Sequence, residues 1–343
     1  MALRIHHLNC MSLRPLGGRL IDGRSGWLER ARFVSHCLLV ETGDGLALVD
    51  TGLGLGDVLD PQQRLSGTML SLFKPQLRAE MTALRQIERM GFRAADVRDI
   101  VLTHLDFEQA GGLDDFPRAR VHLLANERDH AFAQKSWLDR QRYRPQQWST
   151  RNRWVVYDPE AGGEPWMGLQ SVRALVGLPP DILMLPLAGH TRGHAGVAVH
   201  GLTGWHLHAG DAFHDPRELN TKPRNRLGLR MLQSFMAVDG RARADNTRRL
   251  RELHRHHPDI TIFCSHDAAS FERLSGRAAD TLPDAVAWSA RDPYAEKIVR
   301  RPMEAAPSGP LGVPGLEVTE HESDALDFEP VPFRRDDTAH PRQ

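Results

Sequence analysis

Four predicted strands in this chain each end in a short polar segment that contains histidine or aspartate. The segments are residues 103–112, 189–194, 210–212 and 265–267, and each follows an apolar or alternating run typical of a strand. In layered α/β folds, functional sites collect at the carboxyl ends of strands. The placement of these four segments therefore predicts a single site at one edge of the fold.

Hydrophobic periodicity predicts strands and helices in alternation. Two helical patterns cover residues 80–91 and 242–256, and the first carries an apolar stripe. Strands that alternate with helices indicate sheets covered by helices, a layered α/β arrangement. The predicted strands are residues 4–9, 33–41, 46–50, 99–103, 120–125, 182–187, 197–200, 205–209 and 260–265.

Three segments depart from this pattern. Residues 54–75 and 132–180 are rich in Gly and Pro and are expected to be irregular. The second is also rich in aromatic residues, which would either cover a site or form a separate hydrophobic cluster. Residues 274–343 are Pro-rich and polar, so we expect a C-terminal extension that is largely irregular or disordered.

Charge and cysteine content restrict the functional class. The 44 basic and 44 acidic residues give no net charge, which argues against partners held by a positive field, such as nucleic acids or anionic membranes. The three cysteines form no CxxC motif, and no signal peptide or membrane span is visible. We therefore expect a cytoplasmic protein with a small-molecule substrate, and leave association into a homo-oligomer open.

The first polar segment offers several candidate metal ligands. His104, Asp106 and Glu108 alternate with apolar residues, and in an extended segment such residues point to the same side. The other segments add imidazoles and a carboxylate, a mixture that suits zinc, iron or manganese. The candidates from those segments are His190, His194, Asp211 and His266.

Taken together, the motifs resemble those of the metallo-β-lactamase fold superfamily of metallo-hydrolases. The matching segments are a DTG turn at 50–52, GHTRGH at 189–194, GDA at 210–212 and SHD at 265–267, with HLDFEQ at 104–109 where the family carries HxHxDH. The resemblance implies a four-layer αββα sandwich over residues 1–273, with residues 132–180 as an insertion. It also implies metals held at one edge, between the two sheets.

The same resemblance implies a role for each candidate residue. His104, Asp106 and His190 would hold a first metal, and Asp211 would bridge to a second. Glu108, Gln109 and His266 fall at the second position. Asp50 and His194 would support the ligands from behind.

The first motif departs from the family pattern at three residues. Asp106 and Gln109 stand where the family has histidine, and Glu108 stands where it has aspartate. A carboxylate can replace imidazole on zinc, whereas an amide oxygen is a weaker donor. We therefore expect one firmly bound zinc at the first position and a weak or absent second ion, with iron or manganese as alternatives.

Such a centre predicts hydrolysis of a small ester, lactone or thioester. A bound cation lowers the pKa of a water molecule to about 7 and polarises the substrate. Asp211 and Glu108 are the candidate catalytic carboxylates, and His214 is a candidate substrate contact or replacement ligand. Two alternatives stay open: a mononuclear non-haem iron oxygenase, and a degenerate member that binds without turnover.

Overall fold

The computed structural model describes residues 2–149, 151–222 and 226–284. Its first sheet has six strands in sequence order. The first three strands pair antiparallel with one another, and the third to the sixth pair in parallel. Every residue of the second strand is buried because the sheet is covered on both faces. The strands are β1 (Arg4–Leu13), β2 (Phe33–Thr42), β3 (Gly45–Val49), β4 (Val97–Val101), β5 (Arg120–Leu124) and β6 (Trp154–Tyr157).

The second sheet also has six strands, and again each strand lies beside its neighbour in the sequence. Its last two strands pair in parallel and the others are antiparallel. The strands are β7 (Glu164–Trp166), β8 (Leu169–Ala174), β9 (Ile182–Pro186), β10 (Ala195–Gly201), β11 (Gly204–His208) and β12 (Thr261–Phe263).

Helices pack on the outer faces of both sheets. Ile87 packs in the cluster outside the first sheet, and Leu250 packs in the cluster outside the second. Val40 and Val197 share a core between the two sheets. The helices are α1 (Gly18–Ile21), α2 (Leu55–Leu59), α3 (Pro61–Arg64), α4 (Gly67–Phe73), α5 (Ala83–Arg89), α6 (Phe107–Ala110), α7 (Ala125–Ala133), α8 (Trp137–Arg142), α9 (Leu227–Met236), α10 (Gly240–His256) and α11 (Ala268–Ser275).

This order of layers confirms the predicted αββα sandwich, and each predicted strand overlaps an observed one. The expectation of irregular connections was wrong in two places. Residues 54–75 contain α2, α3 and α4, while residues 132–180 contain α8 and the strands β6, β7 and β8. These elements are short, so they carry too few periods of apolar residues to be recognised. No helix in the described ranges is long and apolar enough to cross a bilayer.

The predicted C-terminal extension begins with residues that pack on the domain. Ala279 is fully buried in a cluster with Val34 and Phe271. Asp280 pairs with Arg32, with 3.0 Å between carboxylate oxygen and guanidinium nitrogen. The chain therefore stays attached to the core through residue 280, and residues 285–343 of the predicted extension lie outside the described residues.

Two buried histidines are expected to make the fold sensitive to acid. His7 Nδ1 lies 2.8 Å from His36 Nε2, away from the solvent. Burial lowers the pKa of His7 to about 3 and holds that of His36 well below its usual range. Below about pH 6.5 the unfolded chain takes up protons that the folded chain refuses, so the free energy of unfolding should fall by about 1.4 kcal/mol per pH unit for each histidine.

Urea unfolding at pH 7 and pH 5 measures this effect. His7→Gln removes one titrating group and should flatten the pH dependence, whereas His254→Gln on exposed α10 should leave it unchanged. If His7→Gln and the unaltered protein show the same pH dependence of the unfolding free energy, a neutral buried His7 is ruled out.

Candidate metal centre

The four polar segments meet at one edge of the sandwich. His104 follows β4, His190 lies between β9 and β10, Asp211 follows β11 and His266 follows β12. All four side chains are buried, with at most 4% of their surface exposed. The carboxyl ends of strands from both sheets thus deliver imidazoles and a carboxylate to one place.

The donor atoms form two overlapping groups, and within each group they lie within 4.8 Å of one another. We call His104, His190 and Asp211 the first donor group, and Asp211, His214 and His266 the second donor group. Asp211 Oδ2 lies 3.5 Å from His190 Nε2 in the first group. In the second group it lies 3.4 Å from His214 Nε2 and 3.1 Å from His266 Nε2.

Hydrogen bonds behind the histidines fix the rings of both groups. His266 Nδ1 donates to the carbonyl of Val34 at 2.8 Å, which leaves Nε2 facing Asp211. His104 Nδ1 lies 2.8 Å from Thr103 Oγ1, and this hydroxyl also donates to Asp50 at 2.7 Å. Such partners orient metal-binding imidazoles. Asp50 therefore lies one step behind the donors, where the sequence analysis expected it.

Asp211 is held through its backbone by His194. The Asp211 N–H donates to His194 Nε2 at 2.8 Å, and His194 Nδ1 bonds the Leu187 carbonyl at 3.0 Å. Both ring nitrogens of His194 are used in this way, so it belongs to neither donor group. Asp211 Oδ1 is buried and has no hydrogen-bond partner among the described residues. This orphaned oxygen is free to bind a cation.

The structure adds a residue that the sequence analysis missed. Arg142 ends α8 and is fully buried beside Asp106. Its Nε donates to Asp106 Oδ1 at 2.6 Å, and its Nη2 donates to Asp106 Oδ2. His190 Nε2 lies 2.9 Å from Nη2 and 3.1 Å from Asp106 Oδ2, so it contacts both members of the pair. Asp106, an expected ligand, is paired with this guanidinium and belongs to neither donor group.

Glu108 and Gln109 lie on α6, which begins directly after Asp106. The extended alternation expected for this segment therefore stops at Asp106, because α6 starts at Phe107. Glu108 Oε1 still comes to 3.8 Å from His266 Nε2. Glu108 Oε2 and both polar atoms of the Gln109 side chain are buried and have no hydrogen-bond partner within the described ranges.

The histidines of the centre differ in their pKa: burial lowers that of His190 to about 3, whereas nearby carboxylates outweigh burial at His104 and His266. Burial alone would lower the pKa of His104, but Asp106, Asp211 and Asp50 raise it to about 10. In the same way Asp211 and Glu108 raise the pKa of His266 to about 9. The carboxylates thus create a field that favours positive charge, either as protons or as a metal cation.

Burial has a different consequence for Glu108. Burial and the charge of Asp106 raise the pKa of Glu108 to about 7. A carboxyl group with such a pKa can both accept and release a proton near neutral pH. Glu108 is therefore equipped for proton transfer.

A pocket of about 240 Å³ opens onto the second donor group. His214 and His266 line it together with three bulky apolar side chains, those of Ile21, Phe33 and Leu229. The rest of the lining is mostly charged and includes Asp22, Arg24, Arg32, Asp215, Asp267 and Glu272. The Phe33 ring stacks on His266, with 5.4 Å between ring centroids. A larger cavity of about 890 Å³ is lined by none of the seven residues that belong to the donor groups or to the Asp106–Arg142 pair.

The aromatic residues of 132–180 do not line this pocket. Tyr143 and Trp148 are buried in the hydrophobic cluster outside the first sheet, and Trp148 stacks with Phe132. Tyr143 and Trp148 therefore form part of a hydrophobic cluster and do not cover the site. The contribution of this segment to the centre is the guanidinium of Arg142.

Two of the most similar known proteins come from mycobacteria. The chain is 40% identical to the probable metallo-hydrolase Rv2300c of Mycobacterium tuberculosis over 266 residues, which cover 77% of this chain and 80% of that protein. It is also 27% identical over 103 residues to an N-acyl homoserine lactonase of Bacillus thuringiensis, which covers 30% of this chain and 41% of the lactonase.

Solved structures share the fold. A variant of AiiA from B. thuringiensis with N-decanoyl-L-homoserine at its active site matches with a TM-score of 0.61 at 18% identity, covering 81% of this chain and 98% of that one. AidC, a dizinc quorum-quenching lactonase, matches with a TM-score of 0.52 at 16% identity, covering 77% and 87%. The metallo-beta-lactamase superfamily model matches residues 30–277. The chain therefore belongs to the metallo-beta-lactamase superfamily of metallo-hydrolases.

Proposed function

We propose that this protein is a metal-dependent hydrolase that opens a lactone or cleaves an ester or thioester of a small, partly apolar molecule. The observation that carries the proposal is the second donor group, two of whose members, His214 and His266, line a pocket with both apolar and charged side chains. The similarity to N-acyl homoserine lactonases supports a lactone as the first substrate class to test.

The donor atoms fit a catalytic cation. Two imidazole nitrogens and a carboxylate are the ligand mixture found in catalytic zinc sites, and iron or manganese accept it as well. The orphaned Oδ1 of Asp211 supports this assignment because a buried carboxylate oxygen otherwise has a partner. His214, His266 and Asp211 would hold the ion, and the apolar side chains of Phe33 and Leu229 in the same pocket would contact the substrate.

A bound divalent cation in such a centre polarises the substrate carbonyl and makes a water molecule acidic. The backbone N–H of Asp211 donates to His194 Nε2, and this bond fixes the position of the Asp211 carboxylate between the histidines. Phe33 and Leu229 place the apolar part of the substrate and exclude bulk water from the reacting carbonyl. The water oxygen bonds to the carbonyl carbon and the acyl C–O bond, or C–S bond in a thioester, breaks. The products are a carboxylic acid, which loses its proton to the solvent, and an alcohol or thiol; a lactone gives both groups in one hydroxy acid.

We assign the proton transfer to Glu108. Its Oε2 has no hydrogen-bond partner in the described part of the chain, and its pKa is raised to about 7. Glu108 Oε2 takes the proton of the attacking water and returns it to the leaving oxygen. One carboxyl group can perform both steps, because the first step protonates it and the second removes that proton.

The pocket volume limits the substrate. About 240 Å³ is below the roughly 300–1,000 Å³ of pockets for drug-sized ligands. The substrate part that enters the pocket is therefore small, such as a lactone ring with a short chain.

Hydrolysis of a panel of lactones, esters and thioesters tests the proposal. We expect a pH-stat to record acid release from short-chain lactones, loss of that release after dialysis against a chelator, and recovery when zinc is added. Thermal unfolding of the dialysed protein controls for loss of fold. If no lactone, ester or thioester is hydrolysed by metal-loaded protein, the proposed function is wrong.

A further inference from the structure

The Asp106–Arg142 pair carries a consequence for the number of metal ions. Arg142 is fully buried, and its guanidinium bonds both oxygens of Asp106, His190 Nε2 and, at 2.7 Å, the carbonyl of Met236. A planar guanidinium keeps its charge at every relevant pH and matches a carboxylate with two parallel bonds. Asp106 therefore already has a cation, supplied by the chain.

The same contact uses the nitrogen that a metal in the first donor group would need. His190 Nε2 lies 2.9 Å from Arg142 Nη2 and 3.1 Å from Asp106 Oδ2, and it is also the atom that faces Asp211 Oδ2 at 3.5 Å. An ion bound there would either displace the guanidinium or lie beside its positive charge. Coulomb repulsion between two cations in a buried centre is strong because little water screens it.

The second donor group shows the opposite arrangement. Gln109, which stands where the family has histidine, makes no hydrogen bond through its side chain in the described structure. His214 instead supplies an imidazole nitrogen 3.4 Å from Asp211 Oδ2. The amide of Gln233 lies 3.3 Å from the other ring nitrogen and keeps the ring facing Asp211.

We propose that Arg142 is a built-in cation in place of one metal ion, so that each chain binds a single ion at Asp211, His214 and His266. This rests on the proposed function only in taking the centre to bind metal. It differs from the sequence-based expectation of an ion at the first position. The small pocket supports it, because the pocket borders His214 and His266 and no other residue of either donor group.

Zinc binding measures the number of ions directly. The full-length protein is stripped with a chelator, titrated with zinc in a calorimeter, and analysed for bound zinc after gel filtration. We expect one tightly bound equivalent per chain. Two tightly bound equivalents in the unaltered protein would overturn the inference.

A matched pair of histidine variants locates the ion. His214→Ala should weaken zinc binding by at least about 100-fold, whereas His104→Ala should keep the single tight equivalent. Both residues are buried histidines in the donor groups, so the pair controls for the loss of a buried ring. The reverse result, with zinc lost in His104→Ala and kept in His214→Ala, would place the ion at the first position and contradict the proposal.

Arg142 variants test the built-in cation itself. Arg142→Ala should bind a second zinc equivalent, while Arg142→Lys, which keeps a charge, should bind one. Arg144→Ala is the control, because Arg144 bonds backbone carbonyls away from the centre. If Arg142→Ala folds and still binds a single equivalent, the role of Arg142 as a substitute cation is wrong.

These measurements separate the inference from the proposed function. Binding of one zinc equivalent by a protein that hydrolyses no lactone, ester or thioester would refute the proposed function and leave the inference standing. Hydrolysis by a protein with two zinc equivalents would do the opposite.

Discussion

Replacement of Asp211 by asparagine is expected to remove the bound metal and to lower turnover by roughly 10³-fold. Asp211 belongs to both donor groups, so no cation position in the centre survives its loss. The amide has nearly the same volume as the carboxylate and can keep the contact with His194, which involves the backbone of residue 211. The effect should therefore come from the lost charge rather than from lost packing.

Asp99→Asn is the matched control for this variant. Asp99 is also a buried carboxylate near the strand that leads to His104, and it bonds His122 and Arg120 at 2.9 and 2.7 Å. Asp99→Asn should lower stability and keep the metal. Elemental analysis and steady-state kinetics on both variants make the comparison, and an Asp211→Asn protein with unchanged metal content would contradict the assignment.

The second large effect is expected from breaking the buried ion pair. Arg142→Ala removes the guanidinium from the buried Asp106 carboxylate, which then keeps only the nearby imidazoles of His190 at 3.1 Å and His104 at 3.4 Å. Removal of one member of a buried pair costs about 3–5 kcal/mol. Urea unfolding should record a loss of this size, and added zinc should restore part of it if the cation takes the place of the guanidinium.

A double variant isolates the charge from the packing. Asp106→Leu combined with Arg142→Met replaces both charges by apolar groups, which is often neutral or stabilising for a buried pair. We expect the double variant to be more stable than Arg142→Ala alone. If both unfold at the same urea concentration, the loss reflects packing and the electrostatic explanation fails.

The local pattern of the sequence was sufficient for most of the fold. Apolar or alternating runs of residues predicted the positions of β1 to β5 and β9 to β12, because these strands are buried. The strands β6, β7 and β8 were missed because they lie between Gly- and Pro-rich turns, whose composition dominates residues 132–180.

The residues of the metal centre also differ in how far the sequence predicts them. His104, His190, Asp211 and His266 were recognisable because each directly follows a strand. Arg142 was not recognisable, since it is 36 residues from Asp106 along the chain and meets it only through the position of α8. A long-range contact between one arginine and one carboxylate leaves no periodic signal.

One titration tests most directly whether a single zinc ion per chain supports hydrolysis. Metal-free protein receives zinc in small steps while a pH-stat follows the opening of a short-chain lactone. We expect turnover to be absent at the start, to rise in proportion to added zinc and to stop rising at one equivalent per chain. Turnover that is complete before zinc is added, that never develops, or that continues to rise to two equivalents would contradict the account.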